Sequence, residues 1–179
     1  EQGLKIGDVG SYTGLFFEDG TDEPVSGIMM ILVTNNSDRT LQYAQITLTN
    51  DKGDTAQFDL STVPPGESVV LEKNRLPFAQ GFGNARMENL VFFPEEPSLH
   101  TDKLQFQPYQ GALNITNISG EDITGDIQIF YKNSAADVYY GGITYTVRIK
   151  GGLKAGQLQQ LVPSHFSANG STVMFIVMP

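Results

Sequence analysis

The chain has 179 residues, 40% of them hydrophobic and 17% charged, a balance that argues against both a disordered chain and a membrane-embedded one. Eleven basic residues against 20 acidic ones give a net charge of −9, which argues against general nucleic-acid binding and against electrostatic docking on anionic lipid. Cysteine is absent, so disulfides, thiolate nucleophiles and cysteine-held zinc or iron–sulfur sites are excluded.

The chain starts Glu1-Gln2-Gly3 rather than with Met, the start expected of a processed or trimmed product such as one that has lost a signal segment. No apolar run exceeds six residues, the length of Ile28 to Val33. That is far short of the roughly 20 needed to span a bilayer as a helix. No window carries a sustained helical apolar period with a cap at its start. Strand signals are frequent instead: short clusters of Val, Ile, Thr, Tyr and Phe punctuated by Gly, Pro, Asn and Asp. They predict strands over 11–17, 25–35, 40–49, 55–60, 67–73 and 86–93. A second set is predicted over 103–109, 111–117, 123–131, 138–149, 157–162 and 171–178.

The two sets repeat one programme. Ile31-Leu32-Val33-Thr34-Asn35-Asn36-Ser37 corresponds to Leu113-Asn114-Ile115-Thr116-Asn117-Ile118-Ser119 at an offset of 82. Pro65-Gly66-Glu67 corresponds to Ala155-Gly156-Gln157 at an offset of 90, so the second copy carries about eight extra residues, placed in the stretch 134–149. Gly66 and Gly156 are expected in equivalent tight turns with positive φ. Asn84-Ala85-Arg86 and Asn169-Gly170-Ser171 likewise lead into the last strand of each half. The expected fold is all-β, two tandem immunoglobulin-like sandwiches over 1–97 and 98–179. The joint falls in Pro94-Glu95-Glu96-Pro97-Ser98, which two prolines make short and stiff.

The early strand ending in Thr-Asn-x-Ser, the later strand Ile127-Gln128-Ile129-Phe130-Tyr131-Lys132-Asn133 and Pro-Gly-Glu before the next strand resemble the FxLYD-type immunoglobulin-like domains of Gram-positive secreted proteins and lipoproteins. Tyr140-Gly141-Gly142-Ile143-Thr144-Tyr145, with Gly151-Gly152-Leu153 and His165-Phe166, is similar to stretches of surface proteins from such bacteria. The resemblance implies an extracytoplasmic, secreted or surface-anchored location, with membrane contact only through an upstream lipid anchor. It supplies no catalytic residue. A Lys–Asn isopeptide bond, which some surface domains carry, needs an Asn near the end of the last strand; Asn89 lies in one terminal strand and none lies in the other, so no such bond is expected.

Chemical constellations are few. His100 falls in the joint region and His165 follows Pro163-Ser164. A nucleophilic triad would recruit Ser164 or Ser167, but no Gly-x-Ser-x-Gly elbow accompanies them. The acidic segment Glu18-Asp19-Gly20-Thr21-Asp22-Glu23 lacks the spacing of a calcium loop and reads as a solvated turn, and Glu121-Asp122 with Asp126 form a smaller cluster. Gly81-Phe82-Gly83 leads into a strand, not the helix of a nucleotide fold. Hence no catalytic residue, metal site or cofactor is expected. The expected function is a non-enzymatic interaction or spacer module whose partner is a protein or cell-envelope polymer. A small-ligand or polysaccharide-binding module, or an accessory domain of a larger surface enzyme, is the alternative. Tyr140 is the candidate ligand contact, because alternation from Ile149 through Tyr145 and Ile143 puts Tyr139 on the core face and Tyr140 on the wet face, provided that Gly141-Gly142 makes no bulge.

One strand breaks the alternation of a sandwich. Met29, Ile31 and Val33 are expected in the core of the first half, so Ile28, Met30 and Leu32 point out of the sheet. Three bare apolar side chains are costly, and they form the candidate interface. The segment holding Leu15, Phe16 and Phe17, the second domain, another copy or a partner could cover them. Met174, Ile176 and Met178 pose the same puzzle in the terminal strand.

Overall fold

A computed structural model describes residues 3–179. Among these the chain is all-β and contains no helix. The first strands are β1 (Leu4–Phe16), β2 (Glu23–Asn35), β3 (Leu41–Thr49), β4 (Thr55–Val63), β5 (Gly66–Leu71) and β6 (Asn84–Phe92). They are followed by β7 (Leu104–Tyr109), β8 (Ala112–Asn117), β9 (Ile123–Thr124), β10 (Ile127–Ala135), β11 (Val138–Ile149), β12 (Gly152–Leu153), β13 (Leu158–Leu161) and β14 (Ser171–Val177).

Two compact units emerge. The first comprises Glu1–Glu96 and Ala135–Ile143, the second Pro97–Ser134 and Thr144–Pro179. The first unit is therefore discontinuous in sequence, which a single cut at 97/98 does not describe. The offset between the repeats grows from 82 to 90 after Asn117, and the returning segment Ala135–Ile143 lies in that window. The extra residues of the second repeat are thus the ones built into the first unit.

In the first unit one sheet has the order β1-β2-β5 followed by the beginning of β11, and the other has the order β4-β3-β6. Alternation explains the layering: Ala44, Ile46 and Leu48 of β3 and Ala56, Phe58 and Leu60 of β4 point inward, while Gln45, Thr47, Gln57 and Asp59 point out. Opposite them, Met29, Ile31 and Val33 of β2 and Val70 of β5 close the same core, the register expected for β2. Ser68, two residues before Val70, is buried with its hydroxyl unpaired.

In the second unit β11, β10 and β14 lie side by side, β13-β8-β7 form a second sheet, and β9 with β12 form a short ribbon. Its core gathers Leu113, Ile115, Ile127, Ile129, Tyr131, Ile149, Leu153 and Ile176. The terminal strand departs from the simple count. A register shift opposite Phe130/Tyr131 turns Val173 and Ile176 toward the same core, and Met178 packs against it. Ile176 and Met178 are therefore structural. Strands β10 and β11 are joined by Ala136 and Asp137, with φ of 49° and 64°, the pair of positive angles that a type I′ hairpin turn requires.

The repeat has a physical core of its own. Asn35 and Asn117, both buried, pin the chain after β2 and β8 in the same way. The Asn35 amide donates to the Arg39 and Val63 carbonyls at 2.9 Å each, and its Oδ1 accepts from Ser37 N (3.0 Å) and Ser37 Oγ (2.7 Å). The Asn117 amide donates to the Glu121 and Leu153 carbonyls at 2.7 and 3.0 Å, and its Oδ1 accepts from Ser119 N (3.0 Å) and Oγ (2.7 Å). Thr-Asn-x-Ser is thus a strand terminator. One side chain satisfies two carbonyls and folds the turn back on itself. Gly66 and Gly156 follow the far carbonyls by three residues, and both have positive φ, 109° and 71°.

Two stability outcomes follow from these buried polar groups. Asn35→Ala and Asn117→Ala each strand two carbonyls and should cost about 1–3 kcal/mol in chemical denaturation. Ser68→Ala removes an unpaired hydroxyl and should leave the unfolding midpoint unchanged or raise stability by up to about 1 kcal/mol.

Candidate functional site

The polar groups of the first unit converge on three segments. The first is the segment after β1. Asp19 Oδ1 accepts from Thr21 N (3.0 Å) and Thr21 Oγ1 (2.7 Å), an Asx-type turn that shapes residues 19–21. Glu18 turns the other way. It accepts the Leu71 N–H (2.9 Å), and its two oxygens accept the Gly142 N–H at 3.1 and 2.8 Å. The acidic segment is therefore no solvated turn throughout, since Glu18 binds two strands together.

The second loop follows β5 and is organised by the buried Glu72. Its carboxylate accepts from the backbone of Gln57 (3.1 Å), Asn74 (2.8 Å) and Leu76 (2.8 Å). The loop is stitched to β2 by Met29 N donating to the Leu76 carbonyl and Phe78 N to that of Gly27, both at 2.8 Å. Arg75 is thereby held with its guanidinium 4.5 Å from the Phe16 ring centroid. It pairs with Asp19 (2.8 Å) and Glu23 (2.6 Å). Nothing in the sequence singled out Glu72 or Arg75; an acid at a strand end carries no local signature of three backbone donors arriving from elsewhere.

The third element is the beginning of β11. Val138, Tyr139 and Tyr140 pair parallel with Glu67, Ser68 and Val69 of β5. Gly141, with φ of 82°, breaks the alternation, so the faces counted back from Ile149 do not carry through to Tyr139, which is half-buried outside either core. Gly142 presses against β4: a Cβ there would overlap the Asp59 carbonyl and stand 3.0 Å from Leu60 Cα. Ser61 Oγ donates to the Gly142 carbonyl at 2.9 Å. Tyr140 is 39% exposed and its ring stacks on Phe17, centroids 5.7 Å apart.

Between these elements lies a cavity of about 400 Å³. Phe16, Leu60 and Leu71 supply apolar lining, with Gly142 and Ile143 from β11. Tyr43, Asp59, Ser61, Lys73, Glu18, Asp19 and Arg75 supply the polar lining. Lys73 Nζ bonds Asp59 Oδ2 at 2.6 Å, and Gln45 donates to Asp59 Oδ1 at 2.8 Å. Burial pushes the Asp59 carboxyl up, but hydrogen bonds from Lys73 and Gln45 outweigh it, and the net direction is down. Burial, helped by the Asp59 charge, raises the Tyr43 phenol. Tyr140 lies outside the cavity lining.

The other candidates are placed as follows. Ile28 is buried, not presented outward: it sits with Phe16 and Leu71 in a small cluster flanked by Tyr12, Phe17, Val25 and Met30. Met30 is half-buried, its Cε where a Cβ on Gly10 of β1 would lie 3.0 Å away. Leu32 is half-buried beside Gly7. Phe16 and Phe17 thus cover part of this face from within the chain, whereas Leu15 is 52% exposed. His100, with φ of 49°, accepts at its carbonyl from Lys103 N and Leu104 N, a turn that launches β7. His165 Nδ1 lies 2.9 Å from Ser164 Oγ, and its ring stacks on Tyr145 at 4.5 Å. Asp122 and Asp126 accept the backbone N–H groups of Ala155 and Gly151. Among the described residues no three His, Asp or Glu side chains are grouped as a metal site. In comparisons with known proteins no family model matches the chain, and no curated protein or solved structure does.

The Asp59 pairing has an acid signature. A carboxyl lowered in the folded state contributes stability above its ordinary value of 3.8 and loses it as pH falls through the folded value. Urea unfolding from neutral pH down to about pH 2.5 should therefore show a falling midpoint below about pH 4, and Asp59→Asn should flatten that fall.

Proposed function

We propose that the chain is a non-enzymatic, extracytoplasmic module of two tandem immunoglobulin-like sandwiches of the FxLYD type, serving interaction or spacing at a bacterial cell envelope. The observation that carries the reading is the duplicated asparagine pin, Asn35 with Ser37 and Asn117 with Ser119, which ends the equivalent strand of both repeats with the same bonds. It falls on the motif that resembles that family. The polar side chains of the first unit support it too. Glu18, Glu72, Asp19 and Asp59 are engaged in holding backbone or balancing Arg75 and Lys73, a structural use of charge. The acidic surface sets nucleic acid aside as a partner, and membrane contact would come from an upstream lipid anchor.

A second reading, a small-ligand or envelope-polysaccharide binding module, is favoured by the cavity. Its volume falls within the usual range for small-molecule sites, and polar and charged groups converge on an apolar floor of Phe16, Leu60 and Leu71.

Co-sedimentation of the purified chain with isolated Gram-positive cell walls, with released sugars and peptides measured in the same tubes, tests both. Saturable binding without release is expected. Loss of that binding in Lys73→Met, which alters the cavity but no core residue, would favour the second reading. Release of cleavage products, or no association with walls or extracted wall proteins, would defeat the proposal.

A further inference from the structure

The first unit is completed by a strand that arrives from the other half of the sequence, and its acceptor edge is specific. Four independent features hold that strand. Val138–Tyr140 pair with β5 in parallel. The Glu18 carboxylate bridges Leu71 N and Gly142 N, tying the end of β5 to the incoming strand. Ser61 Oγ donates to the Gly142 carbonyl from the opposite sheet. Tyr140 stacks on Phe17. Gly142 itself occupies a slot against Asp59 that admits no Cβ. A loop merely draped over a surface would need none of this fit.

Every group that receives the strand belongs to the turn after β1, to β4 or to β5. None depends on which chain the strand comes from. The continuous part of the first unit ends at Glu96, and the strand returns only at Ala135, beyond the joint Pro94–Ser98. The second unit keeps its own core, built from residues 104–178, whether or not the hairpin tip is seated in the first. Exchange between copies then replaces each contact by an identical one, and the balance rests on effective concentration and on the joint, the conditions for domain swapping. We propose that the β5 edge of the first unit is a strand-acceptor site, filled in the single chain by Val138–Ile143 and open to the same segment of a second copy, so that the protein forms strand-exchanged dimers.

The absence of cysteine makes the test clean. Val69 and Tyr140 are Cα partners across the strand pair. Neighbouring strands lie about 4.8 Å apart, within the range a disulfide spans. Full-length Val69→Cys and full-length Tyr140→Cys are denatured, mixed, refolded together at high concentration and oxidised, then resolved on a non-reducing gel. The double variant Val69→Cys/Tyr140→Cys is treated alongside. The double variant should close within one chain, and the mixture should give a covalent dimer joining one copy of each variant. Gly142→Val added to the Tyr140→Cys copy should abolish that dimer, because the strand no longer enters the slot. Gly142→Val added to the Val69→Cys copy should increase it by vacating the acceptor. The proposal is overturned if the mixture gives no dimer under conditions where the double variant closes. It is equally overturned if the dimer survives Gly142→Val in the donor copy, since the disulfide would then report random encounter. If the Gly142→Val chains do not refold, a mixture of Val69→Cys with Lys154→Cys, an exposed position outside the strand pair, gives the random-encounter level, and a dimer no stronger than that overturns the proposal.

Discussion

The first unit depends on one close approach, the backbone of Gly142 lying directly on that of Asp59. A strand can come so near a neighbouring sheet only where it has no side chain, and it stays there only if its N–H and C=O find partners. Glu18 supplies the acceptor and Ser61 the donor. Because the same Glu18 also takes the N–H of Leu71, the last residue of β5, a single carboxylate ties three segments together. Around that junction the remaining charges arrange themselves: Arg75 over Phe16, Asp19 and Glu23 on Arg75, Lys73 on Asp59. Half-buried Glu18 and Asp59 and the exposed Asp19 and Glu23 carry architecture in this way, around the cavity.

The two repeats solve one shared problem identically and then diverge. A strand that ends inside a folded unit leaves carbonyls facing inward, and an asparagine two residues before a serine disposes of them with one amide. Asn35 and Asn117 do this with matching partners, Val63 and Leu153 standing at the far side. The offset between the asparagines is 82 and that between the carbonyls is 90. The change of offset falls in the chain between them, where the second repeat makes a hairpin long enough to serve a unit other than its own.

Much of this was legible from residue order. The strand programme, the Thr-Asn-x-Ser repeat, the inward register of Met29, Ile31 and Val33 and the positive φ of Gly66 and Gly156 all follow from local rules of alternation and turn chemistry. What stayed hidden is non-local. The insertion near residue 140 was visible as a surplus of residues, but nothing in Tyr-Tyr-Gly-Gly says which unit it completes. Glu18 looked like any acid in a turn because its two donors lie 53 and 124 residues away. Ile28 and Met30 looked bare because the aromatic cover, Phe16, comes from across a turn whose direction alternation does not give. In the terminal strand the two-residue count failed at a bulge, which has no sequence mark there.

The discontinuity of the first unit also imposes an order in time. A ribosome delivers this chain from its N-terminal side, at roughly 5–20 residues per second. The first 96 residues therefore emerge with β5 lacking its neighbour and the Gly142 slot empty, and they wait until the hairpin of the second repeat has followed. Contacts this distant in sequence close slowly, since the entropy of a long loop is spent before they form. The half that is made first thus cannot close on its own, and for that interval β5 has no partner on its β11 side, the kind of open edge on which one nascent chain can find another.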